Sequence, residues 1–365
     1  MGKIVLLSGF ASGLLYFRLP LLRGLVAAGH EVIAAAPEED ARVAPVLKEI
    51  GVGWRPIEFD RNRVRPIRDL RFLRDIRNLI QETAPDRLLC AMLKPNIYGG
   101  WAARSEGVPS AAMVTGLGTV FMNPGWRRSV AARMLRRACR HHDIVFVQNP
   151  EDRRDLLDGR VVEDASKIVQ TAGEGIDLNA FPLAPLPDRP VFLMLSRLLE
   201  AKGVREYLAA AAKLRQSCPD ATVQLAGIED PASGGVPVAE VRAAEARGEV
   251  EYLGFVEDVQ AAIAACSVCV LPSWYEGTPH SLLEGMAMGR PIIATDVRGC
   301  RETVVDQETG LLVPVRDPDA LAGAMERLAL DAELRASMGS AGRRLAEGRF
   351  SAEVVVREML SALQL

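Results

Sequence analysis

Histidine, lysine and aromatic residues are scarce in this chain of 365 residues. There are four histidines, dispersed, and no set of His, Cys, Asp and Glu falls at a metal-ligand spacing, so no metal site is expected. The six cysteines are scattered through apolar surroundings. Cys266 and Cys269 form a C-x-x-C, but it runs into a valine-rich strand and has no second pair at metal spacing, so it reads as reduced core thiols. With aromatics at 5%, stacking platforms for nucleic acid are lacking. No apolar run approaches the ~18 residues of a membrane span. Met1-Gly2-Lys3 leads straight into a short strand with no signal-peptide pattern, so a cytoplasmic chain, free to lie on a membrane surface, is expected.

What is present is ordinary for a globular protein of two domains: 49% apolar and 25% charged residues. The net charge of −3 conceals an asymmetry. Residues 1–180 carry 26 basic against 21 acidic side chains, and residues 181–365 carry 18 against 26. A basic first half suits an anionic partner, either a membrane surface or a phosphorylated substrate.

Both halves alternate strand and helix. Continuous apolar runs at Lys3–Ser8, Glu31–Ala36, Arg87–Met92, Ser110–Thr115 and Ile144–Gln148 predict a parallel sheet covered on both faces. Helices are expected at Leu14–Ala28, Asp40–Ile50, Pro66–Glu82, Asn96–Glu106, Trp126–Cys139 and Pro150–Leu157. The second half repeats the scheme from Val191–Leu195 onward, and the chain closes on helices ending with Ala352–Leu363. Four prolines between Phe181 and Pro190 mark a linker. The expected fold is α/β, two doubly wound domains with a ligand cleft between them.

The stretch from Pro272 to Pro291 gives the strongest functional signal. A strand, Val268–Leu271, is broken by Pro272; Glu276 follows in a polar loop, and Ser281 opens a helix with Glu284 in its first turn. The unpaired N–H groups of a helix start suit an anion. Two carboxylates flanking that point suit polyols on either side of a diphosphate, although a turn cap and a helix-dipole partner explain them equally. Upstream, Arg197 and Lys202 follow the first strand of the second domain, a fork of donors and a point charge suited to adjacent phosphates or to solvated surface charge. The turn Gly9–Gly13, with Ser12, is small enough for backbone N–H groups to approach a phosphate, or serves packing alone. Two helices are basic: Arg68, Arg71, Arg74 and Arg77 climb one beside Leu70, Leu73, Ile76 and Leu79, and Arg127, Arg128, Arg133, Arg136 and Arg137 lie on the other. They suit a membrane surface or polyphosphate ahead of nucleic acid.

These residues resemble the retaining glycosyltransferases of family 4, which have the GT-B fold. The resemblance spans essentially the whole chain and is most specific at Glu276–Ala287, Gly289–Glu302 and Asp306–Pro314. Tyr16–Pro20, Lys94–Gly99 and Thr115–Phe121 resemble the PglA-type bacterial subgroup, which acts on polyprenyl-diphosphate-linked sugars. The resemblance implies an acceptor domain of residues 1–175 plus 351–365 and a nucleotide-sugar domain of residues 176–350. It implies a UDP-sugar donor, with N-acetylgalactosamine favoured, held by Ser12, Gly13, Arg197, Lys202, Val256, Glu276, Thr278, Pro279, His280, Ser281, Leu282 and Glu284. Arg197 and Lys202 would take the diphosphate with N–H groups at Ser281–Leu283, Glu284 the ribose and Glu276 the transferred sugar. Glu276, Lys202 and Arg197 would carry the chemistry, with retention and without metal or cofactor. Arg68, Arg71, Arg74, Thr115, Gly116, Arg127 and Arg128 would serve the acceptor and the anionic inner face of a membrane. One departure stands out: many family members carry a histidine where this chain reads Val114–Gly118. A UDP-N-acetylhexosamine 2-epimerase of the same fold and a non-catalytic sugar-nucleotide-binding subunit are the alternatives.

Overall fold

The computed structural model describes residues 1–60, 65–116, 126–230 and 234–365, without the side chains of 126–128. The chain divides into two compact units, Met1–Gly175 with Ala352–Leu365, and Ile176–Ser351.

In the first unit the described strands are β1 (Lys3–Ser8), β2 (Glu31–Ala36), β3 (Gly53–Pro56), β4 (Arg87–Ala91), β5 (Ser110–Val114), β6 (Ile144–Val147) and β7 (Ile168–Gln170). They form one parallel sheet in the order β3-β2-β1-β4-β5-β6-β7. Ile4 to Leu7 of β1 are fully buried, so neither face of the central strand meets water. That is why the apolar residues run without alternation. In the second unit β8 (Val191–Leu195), β9 (Thr222–Ala226), β10 (Glu251–Gly254), β11 (Val268–Leu271), β12 (Ile292–Thr295) and β13 (Gly310–Val313) pair in the order β10-β9-β8-β11-β12-β13. Chain direction across the sheet reverses between β1 and β4, and again between β8 and β11. At such a switch point neighbouring loops diverge and leave a crevice at the carboxyl ends of the strands.

Three local features differ from the sequence reading. The short edge strands β3 and β7 were not anticipated, because Gly53-Trp-Arg-Pro56 and Ile168-Val-Gln170 offer no sustained apolar run. The segment expected as one helix, Leu14–Ala28, is two, Ser12–Tyr16 and Leu19–Ala27. The chain breaks at Phe17–Arg18, and Pro20 occupies the first turn of the second helix, where its missing N–H costs nothing. Leu70, expected on the apolar strip of the helix Pro66–Thr83, is 68% exposed. An i, i+3 series turns by about 60° per step, so it leaves the buried face set by Phe72, Ile76 and Leu79.

The last helix, Ala352–Leu363, belongs to the first unit. It buries Val355, Val356 and Met359 beside the helix Leu19–Ala27, where a side chain on Gly24 would strike Val356. In the second unit the largest fully buried side chain is Arg290. All five of its N–H groups are used: Nε on the carbonyl of Ile263 (3.0 Å), Nη1 on Ala184 (2.6 Å) and Met288 (2.9 Å), and Nη2 on Pro185 and Ala264 (both 2.9 Å). The fork ties the proline-rich linker to the ends of two helices, Val259–Ala265 and His280–Ala287. Arg343 adds a donor to the carbonyl of Ala287.

Candidate active site

The switch point of the second unit brings together the loop after β8 and the loop after β11. Their backbones touch directly. Trp274 N–H donates to the carbonyl of Ala201 (2.8 Å). Gly203 holds φ +74° against the carbonyl of Pro272, where a Cβ would collide with the oxygen. On the other side Gly299, at φ +79°, lies against the carbonyls of Glu276 and Gly277 in the same way. Only glycine satisfies both the backbone conformation and the approach at these two positions. Aromatic residues brace the loop. The Arg316 guanidinium lies 3.8 Å from the Trp274 ring centroid and Arg298 5.5 Å from that of Tyr275, while Trp274 Nε1 donates to Glu206 (3.0 Å).

This backbone frame brings Lys202 and Glu276 into contact. Lys202 Nζ lies 2.5 Å from Glu276 Oε1, which also accepts from Ser273 Oγ at 2.6 Å. The pair is largely shielded, the side chains being 25% and 10% exposed. Glu276 Oε2 has no hydrogen-bond partner among the described residues, which leaves one carboxylate oxygen for a ligand hydroxyl. The neighbouring Cys300 thiol is pushed up in pKa by burial and then by the Glu276 charge, so it is inert. Arg197, at the end of β8, is half exposed and pairs with Asp230 at 2.6 Å.

Pro279 caps the helix His280–Ala287, which opens one residue before the expected Ser281; its first turn holds no acidic residue, so Glu284 stands one turn in and not in the first turn as expected. His280 Nδ1 and Glu284 Oε1 are 3.0 Å apart on one helix face. The N–H groups of Leu282 and Leu283 both return to the Pro279 carbonyl (3.1 and 3.3 Å). The donor left without a described partner is therefore the N–H of Ser281, one position earlier than the Leu282–Leu283 end of the expected span. The Leu282 side chain is buried in the core. Thr278 Oγ1 is shielded from water and has no hydrogen-bond partner among the described residues. Val256 is half-buried in the loop after β10, next to the 65%-exposed Phe255.

In the first unit, Gly9 and Gly13 are closely covered: a Cβ would lie 2.5 Å from Met92 Sδ and 2.7 Å from the Phe10 ring, respectively, and would displace those side chains. Ser12 is half-buried at the start of the short helix Ser12–Tyr16. Thr115 and Gly116 follow β5, and Thr115 lines a small cavity with Arg18, Gln148 and Glu174. Arg68, Arg71 and Arg74 are exposed on the helix Pro66–Thr83. The side chains of Arg127 and Arg128 lie outside the described residues. Among the described residues no three His, Cys, Asp or Glu side chains cluster as metal ligands, and no helix is long and apolar enough to cross a membrane.

Two groupings escaped the sequence reading. Arg18 and Glu174 form a shielded ion pair (2.7 Å) at the carboxyl edge of the first sheet, 156 residues apart in sequence. The one local signal was an acidic residue between two glycines, Gly173-Glu174-Gly175. Lys94 and Asp69 form another (2.6 Å), and burial together with Asp69 pushes the Tyr98 hydroxyl up to about 12.

Comparison with known proteins agrees with this architecture. Residues 189–331 match the family "Glycosyl transferases group 1", and residues 13–172 match "Glycosyl transferase 4-like domain". The chain is 25% identical over 356 residues to the N,N'-diacetylbacillosaminyl-diphospho-undecaprenol alpha-1,3-N-acetylgalactosaminyltransferase of Campylobacter jejuni, covering 92% of each chain. It is 35% identical over 227 residues to the alpha-D-kanosaminyltransferase of Streptomyces kanamyceticus, covering 62% of this chain and 58% of that one. Among solved structures, Anabaena HepE in complex with UDP and glucose superposes with a TM-score of 0.82 at 18% identity, over the whole of both chains. Sucrose-phosphate synthase from Thermosynechococcus elongatus gives 0.81 at 21% identity, over 99% and 98% of the two chains.

Proposed function

We propose, for a chain that belongs to the family 4-like glycosyltransferases of GT-B fold, the transfer of a hexose or N-acetylhexosamine, with N-acetylgalactosamine favoured, from a UDP-sugar to a polyprenyl-diphosphate-linked saccharide. The observation that carries this reading is the Lys202–Glu276 pair at the β8/β11 switch point, beside the N-terminus of the helix His280–Ala287. A nucleotide-sugar has three parts to be held: a neutral sugar, a doubly anionic diphosphate and a ribose. Glu276 Oε2 takes a hydroxyl of the transferred sugar, and Glu284 takes the ribose hydroxyls. Lys202, Arg197 and the Ser281 N–H take the diphosphate between them.

The same groups account for the reaction. Charge accumulates on the departing diphosphate as the glycosidic bond breaks, and fixed cations with a helix N-terminus stabilise it without a metal ion. The acceptor hydroxyl is deprotonated by the leaving phosphate on the face it vacates, so configuration at the anomeric carbon is retained. The similarity to the Campylobacter enzyme supports the polyprenyl acceptor. The exposed Arg68, Arg71 and Arg74 support an anionic partner, the acceptor's diphosphate together with the headgroups of the cytoplasmic leaflet.

The test has two stages. A thermal-shift panel of UDP-, GDP- and ADP-sugars should show stabilisation by UDP-sugars alone. Turnover of UDP-N-acetylgalactosamine with a polyprenyl-diphosphate saccharide, in the presence of a chelator, should then give an α-linked product. Stabilisation by GDP- or ADP-sugars alone would overturn the donor assignment, and an inverted product would overturn the mechanism.

A further inference from the structure

The helix Pro66–Thr83 carries large aliphatic side chains where a soluble surface has no use for them. Ile67 is 88% exposed and Leu70 68%. At 100° per residue, Ile67, Leu70, Arg71 and Arg74 stand at i, i+3, i+4 and i+7, one stripe opposite the buried Asp69, Phe72 and Ile76. The face away from the core is therefore apolar and basic together.

Its charges are not those a helix would choose for its own stability. Cations in the first turns oppose the positive end of the macrodipole. The acidic residue of the first turn, Asp69, is turned inward, bonded to Lys94 at 2.6 Å and to the backbone N–H of Arg65 at 3.1 Å. Among the described residues, Arg68 and Arg74 have no ion-pair partner, and Arg71 has only Asp75 at 3.8 Å. The contrast lies one turn further on, where Arg77 is held by Glu106 at 2.7 Å. Along the stripe the one neutralising carboxylate is thus Asp75, at the long distance of 3.8 Å, whereas a close one stands just beyond it.

We infer that the first two turns of this helix insert into an anionic bilayer, with Ile67 and Leu70 entering the acyl boundary and Arg68, Arg71 and Arg74 lying among the lipid phosphates. Aliphatic side chains flanked by long cations that keep their charged ends in the headgroup layer are the pattern of an interfacial helix. The inference rests on the membrane-side acceptor proposed above and adds the apolar contact that arginines alone do not supply.

The experiment compares the wild type with Ile67→Ser/Leu70→Ser in vesicle flotation. The vesicles are phosphatidylcholine alone or with about a third phosphatidylglycerol. Both side chains are exposed, so the variant should keep its melting temperature. The wild type should float with anionic vesicles, and the variant should partition at least tenfold less. A separate variant, Arg68→Gln/Arg71→Gln/Arg74→Gln, should lose the preference for phosphatidylglycerol. Turnover of an acceptor with a short, water-soluble prenyl chain should be equal in the wild type and the serine variant. Wild-type flotation of the serine variant would overturn the inference. So would a self-association in sedimentation velocity that the serine substitutions abolish, since the stripe would then face a second copy. Loss of soluble turnover would overturn it too, by assigning the two residues to the acceptor. The flotation arm needs no substrate, so a wrong donor or acceptor would show only in the turnover arm.

Discussion

Lys202→Met separates the two tasks that Lys202 is proposed to perform, holding Glu276 in the unliganded protein and holding phosphate in the complex. The methionine keeps most of the stem and removes the charge. Exposed ion pairs contribute up to about 1 kcal/mol. Breaking a fully buried one costs about 3–5 kcal/mol, because the remaining charge is stranded. With Lys202 25% and Glu276 10% exposed, the loss should fall between, at about 2 kcal/mol. For a unit the size of Ile176–Ser351 that is a fall in melting temperature of roughly 4–8 °C. The ligand effect has a separate origin. A unit charge about 4 Å from a phosphate is worth about 1 kcal/mol in water and about 4 at an effective dielectric of 20. UDP affinity should therefore drop on the order of 70-fold, the middle of that range. Glu276→Gln in the same background removes the stranded carboxylate, so Lys202→Met/Glu276→Gln should regain most of the lost melting temperature and none of the lost affinity. Calorimetric unfolding and UDP titration at 0.15 M salt measure both. A double variant that binds UDP like wild type would refute the phosphate role. A single variant that melts like wild type would refute the stranded-charge reasoning.

Three further outcomes are expected. Wild type should discriminate UDP from 2′-deoxy-UDP, and Glu284→Ala should lose about tenfold in UDP affinity together with that discrimination; a variant that still discriminates would remove Glu284 from the ribose site. Gly203→Ala should abolish UDP binding and lower the melting temperature, because the new methyl meets the Pro272 carbonyl at a positive φ; full UDP binding by the variant would show that the two loops are not held as described. His142 is fully buried, with Nδ1 2.9 Å from Ser110 Oγ and Nε2 2.8 Å from the Asn96 carbonyl, and burial pushes its pKa down to about 4. The unfolded chain takes up this proton near pH 6.5, before the folded one does. The stabilisation is therefore complete above pH 6.5 and is lost on acidification toward pH 4, on the order of 3 kcal/mol in total. His142→Gln should flatten urea-derived stability between pH 6.5 and 5, and an unchanged slope would sink the assignment.

Much of this was legible in the sequence because parallel strands announce themselves. β8 and β11 were read to the residue, as were the helices Trp126–Cys139 and Ala352–Leu363, since buried apolar runs and helix periods are local properties. β3 and β7 were not, because a strand at a sheet edge is held by its neighbour and not by its own composition. At the site, the residue types at 197, 202, 276 and 284 were visible, and the helix start to within one residue, His280 in place of Ser281. What sequence could not give is which charges face one another. Lys202 meets Glu276 only because Gly203 and Gly299 let three loops approach within contact distance. The Arg18–Glu174 pair spans almost the whole first unit, and nothing local at Arg18 indicates its partner.

Arg290 and Arg343 have an electrical consequence for the helix His280–Ala287. Both guanidinium groups donate to carbonyls at its carboxyl end, those of Met288 and Ala287. A helix ordinarily carries about half a charge of opposite sign at each end. Here the negative end is cancelled within one turn, and the positive end, about 10 Å away at Ser281, keeps its field. The segment acts as a one-ended source of positive potential. Burial lowers the Arg290 pKa from its ordinary value, but a guanidinium stays charged at every pH a cell experiences. The bias at Ser281 therefore does not titrate.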